Sequence, residues 1–200
     1  MSRSILVLLI VGAVGAVLVL MGAGTYNGLV NADENVNKAW SDVGSQYQRR
    51  YDLVPNLVQT VKGAADFERT TLQAVVDARA RVGQISFKEA PTASQLQSFQ
   101  AAQDDLGGAL SRLLVTVENY PELKATQAFI DLQAQLEGTE NRIAVARSDF
   151  NQAVADYNKI RRGFPAVLFA GLMGFESRSG FESVPGAEKA PKVDFGGSAP

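Results

Sequence analysis

The chain opens on a run that leaves few structural choices. From Ile5 to Gly24 it reads ILVLLIVGAVGAVLVLMGAG, twenty residues without a charge. At about 1.5 Å per residue, a helix of this length covers roughly 30 Å, the hydrocarbon thickness of a bilayer. The run is read as a membrane span, with Ile5, Leu9, Val14, Leu18 and Leu20 as anchor residues behind a short N-terminal tail, residues 1–4. The alternative is a cleaved signal peptide. Its apolar core is usually about 7–15 residues, shorter than this run, although Gly22-Ala23-Gly24 is a tolerable cleavage site. Gly12, Gly15 and Ala16 would let two such spans approach closely. Arg3 and the α-amine precede the span, and the first charges after it are Asp33 and Glu34. The positive-inside rule then puts the N-terminus in the cytoplasm and the rest outside.

From Tyr26 to Arg162 apolar residues recur at helical spacing, with no strand-like alternation. Val36, Trp40, Val43, Tyr47, Tyr51 and Val54 make one stripe. Leu57, Val61, Ala65, Leu72, Val75, Arg79 and Val82 make a second, with a gap near Glu68. A third runs from Leu96 to Tyr120 and a fourth from Leu132 to Phe164. Such stripes are single faces of amphipathic helices.

Three prolines fall in this region, Pro55, Pro91 and Pro121. Proline breaks helix interiors and suits first turns, so the three divide the region into segments of about 29, 36, 30 and 42 residues. Gly83 to Thr92 reads as a loop, with Ser94 placed to cap the third helix. Pro55 is either a tight reversal or a kink in one long helix. Comparable segment lengths favour the reversal. The expected fold is all-α: one transmembrane helix, then an antiparallel up-and-down four-helix bundle over 26–175 with coiled-coil-like sides, then a flexible tail over 176–200. The bundle's last helix returns towards the bilayer. The apolar segment 164–175 would therefore lie in the membrane interface or cap the bundle end; its lack of a charged face favours packing on protein.

Composition narrows the chemistry. There is no histidine and no cysteine. Disulfides, Cys or His zinc sites, Ser-His-Asp and Cys-His catalysis and Glu-x-x-His di-iron sites are all excluded. A net charge of −2 offers nucleic acid no global attraction. No Gly-rich phosphate loop is present, and no cofactor or metal site is expected.

The ordered motifs Tyr26-Asn27-Gly28, Asn37-Lys38-Ala39-Trp40, Arg49-Arg50-Tyr51-Asp52-Leu53-Val54-Pro55-Asn56-Leu57-Val58, Glu118-Asn119-Tyr120-Pro121, Leu136-Glu137-Gly138-Thr139-Glu140-Asn141-Arg142, Tyr157-Asn158-Lys159-Ile160-Arg161, Phe164-Pro165 and Pro191-Lys192-Val193-Asp194-Phe195 closely resemble the LemA family of bacterial membrane-anchored proteins. The resemblance covers essentially the whole chain. It implies a four-helix bundle behind one span in the bacterial cytoplasmic membrane, and implies no activity. Where relatives often carry a His before the glutamate of the second helix, this chain has Phe67-Glu68, so any role of that His is absent.

The remaining polar residues each have a structural and a functional reading. Arg49, Arg50, Asp52 and Asn56 would tie the turn at Pro55, or form a binding patch. Glu140 and Arg147 fall on or beside an apolar stripe and need partners, with Arg50, Arg79 and Glu118 as candidates; a buried ion-pair network is favoured over a carboxylate metal site. Tyr157, Arg161, Arg162 and Phe164 approach the membrane and would contact lipid headgroups. The functional expectation is a non-enzymatic membrane scaffold or interaction protein, self-associating through its span or bundle sides, with membrane lipid and a membrane protein as partners. The alternative is an accessory factor of a membrane enzyme such as a protease.

Overall fold

The first helix does not stop where the apolar run stops. In the computed structural model, which describes residues 3–64 and 67–182, α1 runs unbroken from Arg3 to Lys62. Its N-terminal part is long and apolar enough to cross a membrane by length and composition. Ile5, Leu9, Val14 and Leu20 are exposed along it, and the Leu18 side chain lies outside the described ones. Beyond Tyr26 the same helix acquires a buried stripe of Leu29, Ala32, Val36, Trp40, Val43, Tyr47, Arg50, Val54, Leu57 and Val61. Steps of three and four residues keep that stripe on one side of the helix.

The expected reversal at Pro55 is replaced by a continuous helix. Proline normally breaks a helix because it has no N–H to give to the carbonyl four residues back. Here that carbonyl belongs to Tyr51, and Arg79 Nε donates to it at 3.2 Å. The chain turns later, between Lys62 and Arg69. Gly63 and Ala64 tighten the helix end with bonds to the carbonyls of Thr60 (3.3 Å) and Val61 (3.1 Å).

The second helix, α2, is short, Arg69–Val82. Residues 83–92 continue its path back along α1 without helix: Trp40 Nε1 donates to the Phe87 carbonyl at 3.4 Å, and Ala90 N–H to Asn37 Oδ1 at 3.1 Å. The third, α3, spans Ala93–Val117, and Thr92 is its N-cap, its N–H held by Gln95 Oε1 at 2.9 Å. Ser94 lies inside the first turn rather than capping it. Pro121 opens a single turn, α4 (Pro121–Lys124), before α5 (Gln127–Arg162), whose N-cap is Thr126. A last turn, α6 (Ala166–Phe169), packs against both α1 and α5.

The order is thus up, down, up, down, with α1 against α5 and α2 against α3 as the main helix pairs. No strand occurs among the described residues. Two apolar cores are stacked along the bundle. The far one gathers Val54, Leu57, Val61, Phe67, Leu72, Leu106, Leu113 and Phe129. The near one gathers Leu29, Val36, Trp40, Tyr47, Phe99, Phe150, Tyr157 and Phe181. Phe181 falls in the stretch expected to be a flexible tail. Residues up to 182 instead lie against the bundle, while 183–200 are outside the described residues.

Candidate functional site

Between the two cores lies a polar layer. Arg50 of α1, Gln103 of α3 and Thr139 of α5 are the buried polar side chains among the described residues. Arg50 Nη1 donates to Glu140 Oε1 at 2.8 Å. Its Nη2 donates to both the backbone carbonyl (3.1 Å) and the side-chain oxygen of Gln103. One guanidinium therefore ties three helices at one height. Its Nε is buried without a hydrogen-bond partner, and the group sits 5.0 Å from the Tyr47 ring centroid. Tyr47 is itself buried, and burial pushes its phenol above the ordinary value of 10.0. A polar group on a core stripe fixes register, because sliding the helices strands it in hydrocarbon. Thr139 bonds back into its own helix, to the Gln135 carbonyl at 2.7 Å.

The other predicted residues are dispersed. Arg49, Asp52 and Asn56 are exposed towards the C-terminal end of α1; Gln48 Nε2 donates to Asp52 Oδ1 at 2.8 Å one turn away. Glu118 pairs with Lys124 across the turn between α3 and α4, on the surface. Arg147 stacks 4.4 Å from the Phe181 ring. Arg79 stacks 3.8 Å from the Tyr51 ring while it serves the Tyr51 carbonyl. Of the expected ion-pair partners for Glu140, the structure supplies Arg50. Among the described residues no group of three or more acidic side chains gathers to hold a metal ion.

At the end of the bundle beside the apolar run, the chain makes a strap that its tail-like composition does not signal. After α6, residues 175–182 climb back along α5. Asn158 accepts from Arg178 N–H at 3.1 Å and donates to its carbonyl at 2.8 Å. Asn151 does the same for Phe181, at 2.8 and 3.2 Å. The two asparagines are seven residues apart on a helix, about 10 Å. Their targets are three residues apart in extended chain, also about 10 Å. Arg178 then reaches across to α1, with Nε and Nη2 donating to Asp33 Oδ1 and Oδ2 at 3.0 and 3.1 Å. Its Nη1 donates to the Ala90 carbonyl at 3.3 Å. Phe181 enters a cluster with Trp40 (6.3 Å between centroids) and Phe150 (5.6 Å).

This strap consumes part of the group expected to face lipid. Tyr157 is buried, and its hydroxyl donates to the Glu176 carbonyl at 2.7 Å. Arg161 Nε donates to the Phe175 carbonyl at 2.9 Å. Arg162 is exposed and bonds back to Asn158 O, and Phe164 is 76% exposed.

A span that continues as the first helix of an up-and-down bundle defines a class of membrane-associated, all-helical proteins. The chain belongs to the LemA family, whose pattern matches residues 39–195. Among curated relatives, magnetosome protein MamQ 2 of Paramagnetospirillum magneticum is 27% identical over 76% of this chain and 62% of its own length. MamQ of Magnetospirillum gryphiswaldense is 26% identical over the same shares. Protein LemA of Metamycoplasma hominis is 22% identical over 68% of this chain and 58% of its own. The chain thus spans less than two thirds of the curated relatives it matches.

Proposed function

We propose that this protein is a non-catalytic membrane scaffold. Its bundle is held at a membrane surface by the span, self-associates, and offers its sides to partner proteins. The observation that carries this reading is the unbroken α1 from Arg3 to Lys62, which carries the apolar run into the bundle without a break in the helix. A second consideration supports it: Arg50, Glu140, Arg79, Arg178 and Asp33 are engaged with one another, with backbone or with aromatic rings rather than converging on an open cleft. The three relatives are named magnetosome protein MamQ or protein LemA, and neither name states a reaction. On this reading the membrane is the bacterial cytoplasmic membrane, with the N-terminus inside and the bundle outside.

Crosslinking in native membranes, followed by mass measurement of the extracted particle, tests the proposal. A scaffold gives particles containing several copies of this chain. A small particle holding one copy and one membrane enzyme would replace it with an accessory factor.

A further inference from the structure

We infer that the turn after α5 is a second membrane contact: Phe164, Val167, Leu168 and Leu172 enter the lipid beside the span and set the tilt of the bundle. The inference rests on the reading of α1 as a membrane span.

Height is the first argument. Arg178 links Asp33 of α1 to Asn158 of α5, so those two residues lie at one level. From Asn158 the last four residues of α5 descend about 6 Å to Arg162, the same drop along α1 from Asp33 reaches Leu29, and Gly163 and Phe164 follow Arg162 as non-helical chain. The Tyr26 and Phe175 rings meet at 5.7 Å, which puts the end of the turn beside Tyr26 of α1. α6 packs on α1, and among the described side chains of the long helix Met21, Gly22 and Thr25 are the first to become partly covered. The turn therefore lies beside the end of the uncharged run, which finishes at Gly24.

Chemistry is the second. Between Phe164 and Phe175 there is no charged residue. Ala166 and Ala170 face the protein and are buried. Phe164, Val167, Leu168 and Leu172 face away and are 76, 56, 59 and 88% exposed. An apolar surface of this kind is costly in water and ordinary in lipid. The apolar side chains of the span, Val17, Val19 and Leu20 among them, are exposed in the same way. Lys159 and Arg162, both exposed, stand just above it at the level of lipid headgroups. With one helix the bundle is free to lean; with a second apolar contact off the helix axis, its tilt is set.

Trp40 is the sole tryptophan, so a Trp40→Phe background accepts single reporters. Full-length protein carrying Leu168→Trp or Leu172→Trp is reconstituted in phosphatidylcholine vesicles brominated on the acyl chains. Val14→Trp in the span and Val115→Trp on α3 serve as controls. The inference predicts that both turn reporters lose emission as the Val14 reporter does, while the Val115 reporter does not. Quenching at Val14 with none at the turn would overturn it and leave the membrane anchor intact. Blue-shifted but unquenched emission at the turn would equally overturn it, by showing that a second copy of the chain covers the surface. Absence of quenching at Val14 would overturn the anchor reading as well.

Discussion

Pro55 has no N–H for the carbonyl of Tyr51, and Arg79, from the next helix, supplies one. The two residues should therefore be energetically coupled. Arg79→Met leaves that carbonyl short of a donor and costs about 1–3 kcal/mol. In a Pro55→Ala background the restored N–H serves it, and the same substitution should cost about 1 kcal/mol less. Urea unfolding of the four proteins in detergent measures the difference, and strict additivity would refute the coupling. The Arg50 layer predicts an asymmetry. Glu140→Ala leaves the buried Arg50 guanidinium without its countercharge and should cost about 3–5 kcal/mol. Arg50→Ala should cost less, about 1–3 kcal/mol, because half of the Glu140 side chain it leaves unpaired already meets water. Equal losses would contradict this. Tyr47 adds a pH effect. Its folded-state pKa lies above 10.0, so the stability it contributes is whole below pH 10 and is lost as pH rises past that value. Tyr47→Phe should flatten part of the alkaline decline in unfolding temperature.

At the scale of elements, the strap is the least expected part and the easiest to test. Trypsin cleaves after Arg178 only if the segment leaves α5. Asp33→Ala removes the carboxylate that holds the guanidinium across to α1, so cleavage there should quicken. Gly180→Ala should act in the same direction, because a Cβ would come within 2.6 Å of Asn151 Oδ1 and dislodge the Phe181 clasp. Unchanged cleavage in both would show that the strap is held elsewhere. Much of the helical layout was legible: the stripes, the loop from Gly83 to Thr92 and the stop at Pro121 all follow from spacing and turn chemistry. The true first reversal was also visible, as the gap in the stripe near Glu68. Pro55 outweighed it because its rescue comes from a side chain on another helix, which local sequence does not reveal. The strap was hidden for a similar reason. Its residues look like a tail by composition, and the match between the Asn151–Asn158 spacing and an extended chain exists only once α5 is folded. Among the polar candidates, the pairing of Glu140 with Arg50 could be anticipated from charges on apolar stripes. Gln103 gave no such signal, being one polar residue among many on α3.

Across the whole molecule, one helix runs from the apolar N-terminal segment to the far end of the bundle. With no native cysteine, single introduced thiols report unambiguously. Val115→Cys, exposed on α3, should react with a membrane-impermeant maleimide on intact cells if the bundle lies outside. Reaction only after lysis would reverse the proposed orientation. The most direct test of the central claim is a distance. Spin labels at Glu34→Cys and Lys62→Cys, in protein reconstituted into bilayers, bracket Pro55 along α1. An unbroken helix predicts a separation of about 42 Å at 1.5 Å per residue. A reversal at Pro55 would bring the labels to roughly 20 Å on the same geometry, and that result would contradict the account.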